Sequence, residues 1–230
     1  MSIEARLKNV QQKIAEYCNG CGRDPGGVTL IAVSKTNPPE IIRQVAGAGQ
    51  IHFGENKVQE MASKMDELGD TLQWHMIGPI QTNKIRMMAG RVDWIHSVSR
   101  KKELDEIEKR AHQAGRSIRV LIQVNISDED QKSGCEPDEL PALLEHAAPM
   151  EHIRVKGLMG MASFSDDMDL VRSQFRMLRE LRDKWRNHPD KRIELEHLSM
   201  GMTNDMQVAI EEGATMIRVG TAIFGERNYG

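Results

Sequence analysis

The spacing of apolar residues changes period along the chain. Ile3, Leu7, Val10, Ile14 and Tyr17 recur at steps of four and three, which predicts an amphipathic helix over residues 2 to 18. Beyond it, short alternating or continuous apolar runs predict strands at Thr29 to Lys35, Ile51 to Glu55, Leu72 to Gly78, Trp94 to Val98, Ile118 to Ile126, Val155 to Met161, Leu195 to Met200 and Met216 to Phe224. Helical segments lie between them. Asn37 can cap a helix that has Pro38 at its first position and Gly49 beyond its end, and Asn56 can cap Val58, Met61, Ala62, Met65 and Leu68 up to Gly69. Leu104, Ile107, Ala111 and Ala114 form the next stripe, Val171, Phe175, Leu178 and Trp185 the longest one, and Thr203 caps the last. Pro141 either kinks the helix after Pro137 or marks its true start.

Eight strand-then-helix units without a Pro/Gly-rich linker predict an α/β chain whose residues 1–230 form a single domain, a parallel (β/α)8 TIM barrel with an extra N-terminal helix across its bottom. A doubly wound open sheet is the alternative, but it usually has fewer strands. Composition narrows the class further. The net charge of -3 comes from interleaved signs, 31 basic against 34 acidic residues, which gives no footprint for nucleic acid or an anionic membrane. No apolar stretch approaches a membrane span and no leader is evident at Met1, so a cytoplasmic protein is expected. Three cysteines cannot complete a disulfide framework. Cys18-Asn-Gly-Cys21 spells C-x-x-C, but it closes a helix, where the dipole disfavours a thiolate, and it has no second ligand pair for zinc, so no metal is expected.

In a barrel, chemistry sits at the carboxyl ends of the strands. There the chain places Lys35, Gly54-Glu-Asn56, His75-Met-Ile-Gly78, Asn125, Met159, Ser199-Met-Gly201 and Arg218-Val-Gly-Thr221. A lysine at the end of a buried strand stands among groups that exclude water, an environment that favours the neutral amine needed to attack an aldehyde. Read alone, Lys35 is more readily an ordinary lysine reaching from a strand end to solvent. Ser199 and Gly201 ahead of the Thr203-capped helix, and Gly220 with Thr221 on the last strand, suit a phosphate. His75 could be a satisfied core histidine, Asn56 a cap, and Gly54 and Gly78 turn residues. Arg218, between Ile217 and Val219, needs a buried partner. The 15 methionines read mainly as core filling.

Taken together, Ala32-Val-Ser-Lys-Thr36, Phe53-Gly-Glu-Asn56, Trp74-His-Met-Ile-Gly-Pro79, Gln81-Thr-Asn-Lys84, Lys132-Ser-Gly134, Lys156-Gly-Leu-Met159, Leu198-Ser-Met-Gly-Met202 and Arg218-Val-Gly-Thr-Ala-Ile-Phe-Gly225 resemble the pyridoxal phosphate homeostasis protein family, in its order and over nearly the whole chain. The resemblance implies a barrel like the amino-terminal domain of alanine racemase, with pyridoxal 5'-phosphate held as a Schiff base on Lys35. It implies Ser199, Gly220 and Thr221 at the phosphate, Arg218 at the pyridine nitrogen, and Asn56, His75 and Met200 near the ring or the phosphate. Lys57 stands where many members have an aromatic residue, and Thr203-Asn204 where Ser-Asp is commoner.

Two functions then compete. One is a non-catalytic carrier that buffers or delivers pyridoxal phosphate, as a monomer or weak dimer, with amino acids as further ligands and apoenzymes as transient partners. The other is an amino-acid racemase. Racemisation needs acid/base groups on both faces of the substrate, and only Lys35 is evident. Alanine racemases add a second domain that lends a tyrosine, whereas this sequence has five residues after Gly225 and tyrosines only at Tyr17 and Tyr229. The carrier is the expected reading. A sugar-phosphate aldolase using Lys35 without cofactor is a third, and it would lack the cofactor's yellow colour.

Overall fold

The computed structural model describes residues 1–127 and 134–225; Lys132, Ser133 and Tyr229 lie outside them. Eight parallel strands close into a barrel in sequential order: β1 (Thr29–Val33), β2 (His52–Glu55), β3 (Gln73–Met76), β4 (Trp94–Val98), β5 (Ile118–Gln123), β6 (Ile153–Met159), β7 (Ile193–Ser199) and β8 (Met216–Val219). β8 returns to β1 with Leu30 opposite Ile217 and Ala32 opposite Val219, which leaves no open edge. The expected (β/α)8 TIM barrel is what the chain adopts.

The helices are α1 (Ile3–Gly20), α2 (Pro39–Gly47), α3 (Val58–Leu68), α4 (Lys101–Gln113), α5 (Leu140–Ala147), α6 (Met168–Trp185), α7 (Met206–Glu211) and α8 (Thr221–Phe224), with a short 3-10 helix, Thr82–Met87, between β3 and β4. Several starts fall later than the capping pattern predicts. Pro38 precedes another proline and is held extended at φ -72°, ψ 159°, so α2 begins at Pro39. Lys57 is extended too, which places Asn56 one residue ahead of the α3 cap. α7 begins at Met206 after Asp205, beyond the reach of Thr203 as a cap. Pro141 lies in the first turn of α5 and so marks a start rather than a kink. β8 stops at Val219 because the chain turns at Gly220 into α8, where a continued strand was expected.

α1 does not cross the barrel bottom as expected. It packs between α7 and α2 on the outside of the barrel, and Arg6 donates to the carbonyls of Ile223 (2.7 Å) and Phe224 (3.3 Å) at the end of α8. Because α8 is only four residues long, α1 fills the place of a full eighth helix.

Strand alternation sorts the side chains into two populations. One set, including Leu30, Ala32, Phe53, Trp74, Met76, Ile95, Val120, Ile122, Leu158, Leu198, Ile217 and Val219, packs under the helices in the main core. The opposite set faces the barrel interior, where Ile31, Trp94, Leu121, Met159 and Met216 make a small apolar cluster. His52, His75, His96, Arg119, His197, Ser199 and Arg218 share that inward phase. The layer outside the sheet is therefore apolar and the barrel centre is largely polar, which a buried sheet can tolerate only where the polar groups are paired.

β6 and β7 shift register beside Gly157, where a Cβ would lie 2.0 Å from the His197 carbonyl oxygen. Gly157→Ala is expected to cost about 3 kcal/mol or more, since strand backbone and not a flexible side chain must give way. A urea midpoint within experimental error of the parent would contradict this close approach.

Candidate functional site

A cavity of about 550 Å³ opens at the carboxyl ends of the strands, within the size range of cofactor pockets. Val33, Ile77 and Met159 supply apolar walls, and Lys35, Asn56, Arg218, Gly220 and Thr221 supply polar groups. Five of the sequence-predicted residues thus meet at one mouth. His75, Ser199 and Met200 do not line it, and each is fully buried. Met200 belongs to the core outside the sheet, while His75 and Ser199 lie in the barrel interior.

Lys35 follows β1 by two residues and is half-buried, so its amine is both confined and reachable. Its backbone is held from several sides. The Thr36 hydroxyl (2.6 Å) and the Asn37 amide (3.2 Å) both donate to the Lys35 carbonyl, so Asn37 braces the lysine instead of capping α2. Thr36 is the one non-glycine residue with positive φ, 65°, among the described residues. A β-branched residue in the left-handed region is strained, and here that strain sits beside the proposed reactive amine.

An ion-pair cluster missed in the sequence lies behind this turn. Glu55 is buried at the end of β2, accepts from the Ser34 hydroxyl (2.6 Å) and pairs with Lys64 (2.7 Å). Lys64 also pairs with Glu60 and donates to the Ser34 carbonyl (2.9 Å), while Glu60 accepts from the Thr36 backbone N–H (2.5 Å). Residues 34 and 36, on either side of Lys35, are thereby tied to α3. Burial pushes the Glu55 carboxyl up, against the opposing pull of Lys64. Lys64 stands on the apolar face between Met61 and Met65, and that break in the stripe was its one signal in the sequence.

Gly78 is a close approach and not merely a turn. A Cβ there would meet the Asn56 carbonyl oxygen at 2.3 Å, and the Gly78 carbonyl accepts from the Ser97 hydroxyl at 2.6 Å. The missing side chain lets the β2 and β3 ends press together and sets Asn56 into the cavity wall. Gly78→Ala is expected to destabilise by about 1 to 3 kcal/mol in urea unfolding, with Asn56 displaced.

At the cavity floor Arg218 is buried, and its guanidinium donates to Ser199 Oγ (2.7 Å) and the Gly160 carbonyl (3.2 Å). Burial lowers its pKa to about 10, partly countered by Asp205, so it remains a cation near neutrality. Asp205, the residue before α7, makes no side-chain cap; its carboxylate turns back to accept from the Met202 N–H at 2.5 Å. Thr203 therefore does not cap this helix, and Gly220 and Thr221 line the cavity as phosphate candidates.

The cysteines are free, and burial pushes the Cys18 thiol up, which is the opposite of redox activation. Among the described residues no group of three or more His, Cys, Asp or Glu side chains is placed to hold a metal, and no helix is long and apolar enough to cross a membrane.

The family model described as alanine racemase, N-terminal domain, matches residues 6–228. The pyridoxal phosphate homeostasis protein of Aquifex aeolicus is 44% identical over 230 residues, with all of both chains covered. The chain belongs to the pyridoxal phosphate homeostasis protein family. The solved structure of PipY from Synechococcus elongatus PCC7942 with PLP bound is 35% identical and has a TM-score of 0.86, covering 97% of this chain and all of that one. An alanine racemase from Clostridium difficile shares the fold alone, with 13% identity, a TM-score of 0.77 and 57% of its length covered.

Proposed function

We propose that the chain binds pyridoxal 5'-phosphate at this cavity, holds it through an imine on Lys35, and serves intracellular buffering or delivery of the cofactor without sustained catalysis. The observation that carries this reading is the donor set. A cavity with one amine, one buried guanidinium, a glycine backbone with an adjacent hydroxyl, and apolar walls suits a flat heteroaromatic ring bearing an aldehyde and an anion. The PLP-bound PipY structure and the names of the relatives support it.

When bound, the cofactor would supply an electrophilic carbonyl and a conjugated ring. The remaining work falls to the chain. Lys35 provides the nucleophile, fixed by the brace on its carbonyl. Arg218 presents a cation to the ring end, which disfavours protonation there and makes the ring a poorer electron sink than a carboxylate partner would. Gly220 and Thr221 receive the anion. Ser199 acts on the ring end through Arg218 and not by direct contact.

Among the described cavity residues, Lys35 carries the one amine able to serve as an acid/base group. Tyr17 lies on α1. A racemase needs a second such group on the opposite face, so exchange at the substrate α-carbon should not turn over repeatedly. Incubating cofactor-loaded protein with single L-amino acids in deuterated water tests this, and multiple-turnover loss of the α-proton signal that depends on Lys35 would make the protein a racemase.

The anion subsite has its own test. A Cβ at Gly220 would contact Val33 at no less than 3.4 Å, so Gly220→Ala fits the apoprotein. It is expected to weaken pyridoxal phosphate by about tenfold, roughly 1.4 kcal/mol, while leaving pyridoxal, which lacks the phosphate, little changed. Equal loss for the two vitamers would move the phosphate elsewhere.

A further inference from the structure

The barrel interior contains a file of five side chains joined end to end. Arg218 Nη1 donates to Ser199 Oγ (2.7 Å), Ser199 Oγ meets His96 Nδ1 (2.9 Å), His96 Nε2 meets His75 Nδ1 (2.9 Å), and His75 Nε2 meets His52 Nδ1 (3.0 Å). It runs from the floor of the cavity, at the carboxyl ends of the strands, to the first residue of β2 at the amino ends. Ser199, His96 and His75 are fully buried, and His52 alone is half-exposed.

Chemistry gives this file one direction. A guanidinium can only donate, so Ser199 Oγ accepts from Arg218. The Ser199 hydroxyl proton must then find an acceptor, and within hydrogen-bonding distance that is His96 Nδ1. His96 therefore carries its proton on Nε2 and donates to His75 Nδ1, and the same step repeats from His75 Nε2 to His52 Nδ1. With the opposite sense, His96 would donate to Ser199 and the serine proton would be buried without a partner, a costly arrangement. Three neutral imidazoles with the proton on Nε2 satisfy every group.

We propose that His96, backed by His75 and His52, is a positioning residue for the cofactor site: the file orients the Ser199 lone pairs, and Ser199 in turn aims the Arg218 guanidinium at the ring end of the bound cofactor. The inference rests on the pyridoxal phosphate reading for its functional part, while the direction of the file stands on geometry alone. Protonation of any of the three imidazoles converts an acceptor into a donor and breaks the sequence, and at His96 it sets a second cation next to the Ser199–Arg218 pair.

The surroundings oppose such charging. His75 stacks on Trp94 with centroids 5.8 Å apart and planes 4° from parallel, Arg119 lies over the same indole at 4.7 Å, and His197 meets its edge. Arg119 and Asp93 face His52, Arg119 and His197 face His75, and Arg218 and His197 face His96. Lys156 and Glu196 act on His197, and Asp205 on Arg218. Asp93, Glu196 and Asp205 are the nearby anions in these sets, and none acts on His75 or His96.

The first experiment needs no cofactor. Nitrogen-15 NMR of the histidine-labelled apoprotein between pH 5.5 and 8 should show His75 and His96 as neutral rings protonated on Nε2. A proton on Nδ1 of His96, or a charged His75 or His96 at neutral pH, overturns the assignment. The second uses the cofactor. His96→Gln can still accept from Ser199 through its oxygen and donate to His75 through its nitrogen, whereas His96→Leu can do neither. His96→Gln should rescue the parent's absorption spectrum, its pH profile and its affinity to within about threefold. His96→Leu should shift the profile and weaken affinity about tenfold. Should the leucine variant not fold, the serine, Ser199→Ala, removes the same link with less volume change and should show the same spectral shift. Parent spectra in the folded leucine or alanine variant overturn the positioning role. If the parent protein binds no pyridoxal phosphate, the function proposed above fails, and the NMR result still decides the direction of the file.

Discussion

Lys35→Ala is expected to abolish the imine absorption of the cofactor-loaded protein, to weaken pyridoxal phosphate by a hundredfold or more, about 2.7 kcal/mol, and to leave the fold intact. The reasons lie in the turn after β1. Lys35 is half-buried and the apolar contacts of β1 are made by Leu30, Ile31, Ala32 and Val33, so truncation removes little core area. The bonds that hold this turn use the Lys35 carbonyl and the backbone N–H of Thr36, and both survive the substitution. Borohydride reduction of the parent followed by peptide mapping gives the complementary result: the label should fall on Lys35. Two other lysines are engaged differently, since Lys64 is buried in its cluster with Glu55 and Glu60 and Lys156 is paired with Glu194. Label on Lys84, Lys132 or Lys156, or an unchanged spectrum in Lys35→Ala, would remove the centre of the proposed function.

A second large effect is expected from acid. Burial holds His75 and His96 well below the ordinary histidine range, with neighbouring His96 the next contributor for His75 and Arg218 for His96; burial also lowers His52 and His197. In the unfolded chain these rings titrate near the ordinary value of about 6.5. Below that pH the unfolded state binds protons that the folded state refuses. Their contribution to stability is therefore complete above the unfolded pKa and is lost as pH falls through it toward the folded values. The slope is about 1.4 kcal/mol per pH unit for each histidine that stays neutral in the fold. Glu55 and Asp205 work against this, because burial raises their pKa and lets the fold take up protons more readily as pH falls. Urea midpoints at pH 7.5, 6.5, 5.5 and 5.0 should fall steeply below 6.5, and His96→Gln should flatten the fall by one histidine's share. A stability that is flat from 7.5 to 5 would mean that the interior histidines are not neutral.

Much of the architecture was legible in the sequence because it depends on local periodicity. A strand buried on one face against helices must place apolar residues there, and the runs from Thr29, Ile118 and Met216 begin at the first residues of β1, β5 and β8, although each runs past its strand's end. The helix stripes were equally clear, since they reflect the same requirement at period 3.6. Lys35, Asn56, Arg218, Gly220 and Thr221 were legible as cavity residues because each follows or ends an apolar run, and a parallel barrel brings all such ends to one mouth.

Element boundaries were less so, because they were set by backbone detail. Pro39 after Pro38, the extended Lys57, and the turn at Gly220 each displaced a start or stop by one to several residues. The place of α1 was not legible at all. It depends on α8 being too short to fill its sector, which is a property of the closed barrel and not of residues 2 to 18.

Only the tertiary structure decided which polar residues meet inside. His52, His75, His96, His197, Ser199 and Arg218 come from five strands, and their shared inward phase has meaning only once the barrel closes and sets their heights. The Glu55, Lys64 and Glu60 cluster likewise needs α3 to fold back over β2. Apolar burial is non-directional and can be read from one segment at a time. Pairing of buried polar groups is directional and acts across segments, so the three-dimensional arrangement settles it.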